Sequence, residues 1–116
     1  MTRLTSGVAA DAAHLPVPYE PVPRDKVVAG IPMTRWIDLD EASDRTVGIW
    51  EHTAGVSRDV EADEVFVVLA GDARIEFEEP ALPPIELRPG SVVRLEAGMR
   101  TIWTVRETLR KVYITP

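Results

Sequence analysis

The fold of this chain is decided by residues 64–71, which read EVFVVLAG. Five consecutive large apolar residues, 65–69, and then Ala70 lie between an acidic residue and a glycine turn, a pattern typical of a strand that is buried on both faces. Such a strand belongs at the centre of a packed β structure. Its first residue is Glu64, and a carboxylate beside so much apolar surface is expected to be an ion-pair partner, a ligand or an acid with a raised pKa.

Short strand patterns surround this stretch on both sides. Gly71 and Asp72 indicate a hairpin, and a helical pattern is limited to a turn near residues 38–43. Because the strands recur about every ten residues between Gly and Pro turns, the sequence predicts an all-β sandwich or barrel. The predicted strands outside the central one are 45–53, 73–78, 85–87, 91–95, 101–106 and 109–115.

Composition limits the function classes. A chain of 116 residues supports one hydrophobic core, so we expect one folding unit. A net charge of -6 with scattered basic residues argues against a nucleic-acid partner, and no apolar run is long enough to span a membrane. There is no Cys and no apolar leader, so neither disulfides nor a Cys nucleophile are expected, and we predict a cytoplasmic location.

The first 32 residues form a separate region rich in proline. Five prolines between Leu15 and Pro32 block helix and favour extended geometry. We therefore divide the chain into a Pro-rich N-terminal arm, residues 1–32, and a barrel, residues 33–116. Two alternatives remain for the arm: a solvated tail, or an extended segment that pairs with its own barrel or with that of a partner subunit.

Several short motifs carry a resemblance to a known family. The motifs, in chain order, are Gly48-Ile49-Trp50-Glu51, Asp63-Glu64, Leu87-Arg88-Pro89-Gly90, Ala97-Gly98, Trp103-Thr104-Val105 and Arg110-Lys111-Val112-Tyr113. The small cupins carry similar motifs in the same order. From about residue 47 to residue 114 the chain resembles the single-domain cupins related to ureidoglycine aminohydrolase, a family often described as a domain of unknown function. The resemblance implies a cupin double-stranded β-helix, which is a jelly-roll barrel with a pocket at one open end, and a homodimer.

The metal ligands of the cupins that the chain resembles are largely missing. Those proteins carry a His-x-His pair before the glutamate and a third His after the second glycine turn, and only Glu64 matches. The other positions hold Arg58 and Val60, or Ser57 and Asp59 in the alternative spacing, and Thr101. One carboxylate cannot hold a catalytic transition metal, which needs about three protein ligands. We expect no metal and no other cofactor.

Strand parity predicts the side chains that face the barrel interior, because alternate residues of a strand point the same way. The interior set comprises Glu64, Phe66 and Val68; Thr101, Trp103 and Val105; Trp50 and His52; Lys111 and Tyr113. Apolar walls with few polar groups are typical of small-molecule sites. The predicted catalytic candidates are Glu64, His52 and Lys111, and the predicted ligand-binding residues are Trp50, Arg58, Phe66, Thr101, Trp103 and Tyr113.

Each of these residues also has a structural interpretation. Trp50 and Trp103 can fill the core of a small barrel, and Glu64 can form a buried ion pair with Lys111 or Arg58. Three functions therefore remain open beside metal catalysis through unrecognised ligands. They are binding of a small polar metabolite without a metal, metal-free isomerase or aminohydrolase-like catalysis by Glu64 with His52 or Lys111, and a structural or dimerising domain with a filled barrel.

Overall fold

β-strands make up almost all of the regular structure in the computed structural model, which describes residues 4–116. The strands are β1 (Glu20–Pro21), β2 (Val27–Ala29), β3 (Met33–Ala42), β4 (Arg45–His52), β5 (Gly55–Val60), β6 (Glu64–Glu79), β7 (Leu82–Leu87), β8 (Val92–Leu95) and β9 (Arg100–Thr115). A 3-10 turn spans Arg24–Lys26. The prediction of an all-β fold is confirmed. Within residues 4–116, no helix is long and apolar enough to cross a membrane.

The strands form one curled sheet that is organised around β6 and β9. Neighbouring strands follow the order β1-β3-β4-β9-β5-β2, and β6 pairs with β7, β8 and β9. All of these pairs are antiparallel. The C-terminal half of β9 pairs with β4 and its N-terminal half with β5, so β9 joins the two parts of the sheet. This architecture is consistent with a cupin jelly roll.

Gly71 bends a continuous strand where the sequence predicted a hairpin. β6 runs through Gly71 to Glu79, and β9 is likewise one strand where two were predicted. The register between β6 and β9 shifts on both sides of Gly71, so both strands turn there without losing their pairing. Gly71 has a φ of 103°, and a Cβ at this position would collide with the carbonyl oxygen of Thr108. The hairpin prediction was wrong because Gly71 lies in a β-bulge within β6 and not in a turn between two strands.

The central strand is fully buried on one face and half-buried on the other, which corrects the prediction of burial on both faces. Phe66 and Val68 are 0% and 1% exposed, whereas Val65 and Val67, which point to the other face, are partly exposed. The predicted helical turn near residues 38–43 was also wrong, because those residues lie in or just after β3. Pairing with β4 from Thr34 to Ala42, with a bulge after Asp38, overrides the local preference.

The described part of the arm lies on its own barrel. Glu20 and Pro21 pair with β3, and Val27 and Ala29 pair with β5. The Arg110 guanidinium donates to the carbonyl oxygens of Ala12 and Leu15 at 2.7 Å each and to a Glu51 carboxylate oxygen at 2.6 Å. The Tyr19 hydroxyl donates to the other Glu51 oxygen at 2.5 Å. These contacts fit the alternative in which the arm is an extended segment that pairs with its own barrel.

Candidate functional site

A cavity opens at one end of the barrel. Its volume is about 450 Å³, which lies in the range of small-molecule sites. Residues from β3, β4, β5, β6 and β9 and from the segment after β5 line it. We call it the barrel cavity, and its lining residues are Trp36, Asp38, Thr46, Trp50, Ser57, Asp59, Val60, Glu61, Ala62, Glu64, Trp103, Lys111, Tyr113 and Thr115.

Lys111 places a buried ammonium group at the wall of the barrel cavity. Its Nζ lies 2.7 Å from Oε2 of Glu64, and the two side chains are only 5% and 16% exposed. The same Nζ lies 4.3 Å from the ring centre of Phe66, 4.6 Å from that of Trp50 and 4.9 Å from that of Trp103. Ring faces attract cations, so both the carboxylate and the rings stabilise the charged lysine. The partner of Glu64 is therefore Lys111 and not Arg58.

Sheet register explains why these side chains meet. Trp36 of β3, Trp50 of β4 and Lys111 of β9 are lateral neighbours on adjacent strands, so their side chains point to the same face. Trp50 and Trp103 then pack with ring centres 5.4 Å apart, and Phe66 lies 5.8 Å from Trp103. The parity argument correctly identified an interior face, since its members other than Trp50 and Glu64 are less than a tenth exposed.

Glu61 is a site residue that the sequence analysis missed. Two backbone hydrogen bonds hold the residue in place, from its N–H to the carbonyl of Met99 and from the N–H of Gly98 to its own carbonyl. Its Oε2 accepts the Thr101 hydroxyl at 2.6 Å and the Trp103 indole N–H at 3.0 Å. Burial raises the pKa of Glu61, while these two hydrogen bonds oppose that shift. The carboxyl group of Glu61 is thus suited to exchange a proton or to bind a cation.

Tyr113 and Asp38, which also line the cavity, form a second polar contact. The Tyr113 hydroxyl donates to Oδ1 of Asp38 at 2.6 Å, across the strand that carries Gly48. A Cβ at Gly48 would collide with the tyrosine ring, so only glycine permits this approach. Burial and the nearby Asp38 carboxylate raise the pKa of Tyr113, which keeps the hydroxyl protonated as a donor.

His52 does not line the cavity, but it contacts two residues that do, Trp50 and Ser57. Its Nδ1 lies 2.6 Å from the carbonyl oxygen of Thr53 and must donate to it. Its Nε2 is then free to accept the Ser57 hydroxyl at 2.9 Å. The imidazole is 2% exposed, and burial lowers its pKa, with the nearby Lys111 charge acting in the same direction. Of the predicted catalytic candidates, Glu64 and Lys111 line the cavity and His52 does not.

A pH dependence of stability follows from the buried, neutral His52. Its pKa is about 6.5 in the unfolded chain and lower in the folded protein. As the pH falls below about 6.5, the unfolded chain binds a proton that the folded protein does not, so the folded state loses stability down to the folded pKa. We expect His52→Gln to remove this component, measured by urea unfolding at a series of pH values.

The matched control for this experiment is His14→Gln, because His14 is the other histidine and its side chain is 82% exposed. Wild type and the His14 variant should show the same dependence below pH 6.5. Parallel curves for wild type and His52→Gln would instead show that burial does not hold His52 neutral.

The remaining predicted ligand-binding residues differ in position. Phe66 and Thr101 are fully buried and do not line the cavity. The Phe66 ring contacts the ammonium of Lys111, and the Thr101 hydroxyl donates to Glu61. Arg58 is exposed and lines a different, smaller hollow with Lys26 and Arg100. Arg58 alternates along β5 with Ser57 and Asp59, which line the barrel cavity, and Asp59 also borders the smaller hollow.

The residues at this end of the barrel do not fit the metal centre of the cupins with three histidines. No three His, Asp or Glu side chains among residues 4–116 converge in a way that could hold a metal ion. The Thr101 hydroxyl, at the third histidine position, is hydrogen-bonded to Glu61. Glu64, the one matching ligand, is bonded to the ammonium of Lys111. A fixed cation of the chain itself therefore neutralises the carboxylate.

The sequence analysis missed Glu61, Asp38, Ser57 and Trp36 as cavity residues. Glu61 stands in an acidic stretch with its neighbours Asp59 and Asp63, and such a stretch is typical of a solvated loop. The available indication was parity, because Ser57, Asp59 and Glu61 alternate along β5 and the residue after its end. Trp36 and Asp38 gave no comparable indication, since they line the cavity through the pairing of β3 with β4.

Comparison with known proteins supports the fold. The family model of the EutQ-like cupin domain matches residues 39–113. The Clostridium difficile EutQ protein is similar, with a TM-score of 0.63 and 17% identity over 72% of this chain and 68% of that one. A Pseudomonas syringae protein of unknown function from the DUF861 family gives a TM-score of 0.73 and 21% identity over 90% of this chain. This chain spans only 45% of that protein. A search of curated proteins gave no significant match.

Proposed function

Because the chain belongs to the family of EutQ-like cupin domains, we propose that it binds a small polar metabolite in the barrel cavity without the help of a metal. The observation that carries the proposal is the Lys111–Glu64 ion pair, which lies among three aromatic rings at the wall of a cavity of about 450 Å³. The polar groups supply specificity, and the rings supply apolar contact area.

The ion pair is hard to explain as a device for stability. Replacing a buried ion pair by apolar side chains of similar volume is often neutral or stabilising by about 1–4 kcal/mol. A barrel filled only for stability would therefore be expected to hold apolar side chains where Lys111 and Glu64 lie. A barrel that recognises a polar molecule needs charged groups fixed by their surroundings, and the contacts of Lys111 supply that.

A screen by thermal shift and tryptophan fluorescence tests the proposal. The compounds are small acids, amines, ureides and sugars, together with divalent Mn, Fe, Ni and Zn. The ureides test the finer proposal, that the chain is related to ureidoglycine aminohydrolases. We expect at least one organic compound to raise the melting temperature, because a ligand at about 100 times its Kd stabilises the folded state by about 2.7 kcal/mol. Stabilisation by a metal alone would contradict the proposal.

Trp36→Ala provides the site variant for this screen. Trp36 lines the cavity but is 50% exposed, so its removal should weaken binding with little loss of stability. Val92→Ala is the control, because Val92 is 66% exposed and lies outside the barrel cavity. If no compound stabilises the wild type, or if both variants bind the hit equally well, the barrel cavity is not the binding site.

A metal-free enzyme acting by proton transfer is the second candidate. It is favoured by two carboxyl groups of different character at one cavity, Glu61 with its raised pKa and Glu64 paired with Lys111. The test is incubation of each screening hit with the protein in D2O, followed by NMR. Solvent deuterium that enters a C–H position of the hit, and enters much more slowly with Glu61→Gln, supports catalysis. If the compound takes up no deuterium, binding alone remains the proposed function.

A further inference from the structure

We infer that the ligand carries a protonated amino group, for which Glu61 and Asp38 are the carboxylate partners in the barrel cavity. The inference rests on the proposed function and names the chemical class of the ligand. It follows from the balance of charge inside the cavity, where acidic side chains outnumber basic ones. The four carboxylate residues of the lining are Asp38, Asp59, Glu61 and Glu64, and its basic residue is Lys111.

Two of these carboxylates already have cationic partners. Glu64 pairs with Lys111 at 2.7 Å, and Asp59 pairs with Lys26 at 3.1 Å. The ion pairs formed within residues 4–116 include neither Glu61 nor Asp38. Among the described residues 4–116, both accept hydrogen bonds from neutral donors only, and such bonds orient a carboxylate but leave its charge in place. The cavity therefore carries an excess of negative charge.

The geometry of Glu61 leaves one oxygen for a ligand. Both of its side-chain hydrogen bonds reach Oε2, and Oε1 accepts none from the described residues. No buried side-chain oxygen within residues 4–116 lacks a hydrogen-bond partner, so Oε1 is not sealed inside the protein. Glu61 lines the cavity, and Oε1 is thus accessible to a bound molecule. A donor with a positive charge is the strongest partner for such an oxygen.

The cavity walls suit an ammonium group and oppose an anion. Trp36 and Trp50 present aromatic surface to the cavity, and aromatic faces attract cations. The Lys111 ammonium already lies against three such faces, which shows that this barrel accommodates the contact. An anionic ligand would have to displace Glu64 from Lys111 and would be repelled by Glu61 and Asp38.

Sets of compounds that share a carbon skeleton and differ in charge provide the test. The first set is isopropanolamine, propylene glycol and lactate; the second is butylamine, butanol and butyrate; the third is benzylamine, benzyl alcohol and benzoate. Each compound is titrated into the full chain by calorimetry at neutral pH. We expect the amine to bind at least about tenfold more tightly than the alcohol and the acid of its own set.

Variants connect the selectivity to the two carboxylates. Glu61→Gln and Asp38→Asn should each weaken amine binding roughly tenfold and leave alcohol binding unchanged, because only an interaction with charge is lost. Glu79→Gln is the control, since Glu79 is an exposed carboxylate outside the cavity. Melting temperatures of the free variants establish that each is folded. Unchanged amine binding in both site variants would overturn the inference.

The outcomes separate this inference from the proposed function. Preference for alcohols or acids in every set would overturn the amine inference and leave the cavity as a binding site. No binding by any member of the sets or of the wider screen would overturn the proposed function, and the amine inference with it.

Discussion

Replacement of Lys111 by methionine is expected to lower the free energy of unfolding by about 3 kcal/mol. The variant keeps the apolar stem among Trp50, Phe66 and Trp103 but leaves Glu64 without the ammonium at 2.7 Å. Breaking a buried ion pair on one side costs about 3–5 kcal/mol, and Glu64 belongs at the lower end because the cavity gives it some contact with water. Urea unfolding followed by circular dichroism measures the loss.

The double variant Lys111→Met with Glu64→Gln is the control. It removes both charges at nearly constant volume, so it should recover most of the stability that the single variant loses. If the double variant is no more stable than Lys111→Met, the loss comes from the contacts of the ammonium with the rings and not from an unpaired carboxylate.

Trp103→Ala is expected to cost about 3–5 kcal/mol, the range for removing a buried aromatic side chain. The ring is 4% exposed and packs against Trp50 and Phe66, so its removal opens the centre of the core. It also deprives Glu61 of one of its two hydrogen-bond donors. The same unfolding assay measures the effect.

Trp103→Phe separates the two contributions. Phenylalanine keeps much of the packing but lacks the indole N–H, so a loss near 1 kcal/mol is expected. Trp36→Ala gives the comparison for a half-exposed ring of the same cavity and should cost clearly less than Trp103→Ala. Equal losses for Trp36→Ala and Trp103→Ala would contradict the assignment of Trp103 to the core.

Much of the fold was predictable because local chemistry specifies it. Alternation of apolar and polar residues predicted the strands, and the glycine and proline positions predicted most of the turns between them. Parity along each strand predicted the interior face, including Trp103, Lys111 and Tyr113. The cupin resemblance then supplied the arrangement that these strands adopt. The homodimer, the cytoplasmic location and the boundary of the arm at residue 32 stay predictions.

The errors in the fold arose where pairing overrides local sequence. Gly71 has the same local appearance in a hairpin and in a bulge, and only the pairing of β6 with β9 on both sides of it selects the bulge. The residues near Asp38 have weak local preference, and β4 holds them extended. In both places the deciding hydrogen bonds come from residues far away in the chain.

By itself the sequence determined an all-β fold with an interior face rich in aromatic residues that includes the carboxylate of Glu64, and the resemblance to cupins indicated the barrel. Only the tertiary structure decided the composition of the site. In the folded chain Glu64 pairs with Lys111, and Glu61, Asp38 and Trp36 line the cavity. His52 does not line the cavity, and Arg58 lies on the outside of the barrel. Glu61 meets Thr101 and Trp103 across about forty residues of sequence, as their hydrogen bonds show. The physical reason is that a strand's own sequence fixes which residues share a face, whereas the partner strands and their register fix which side chains meet across it.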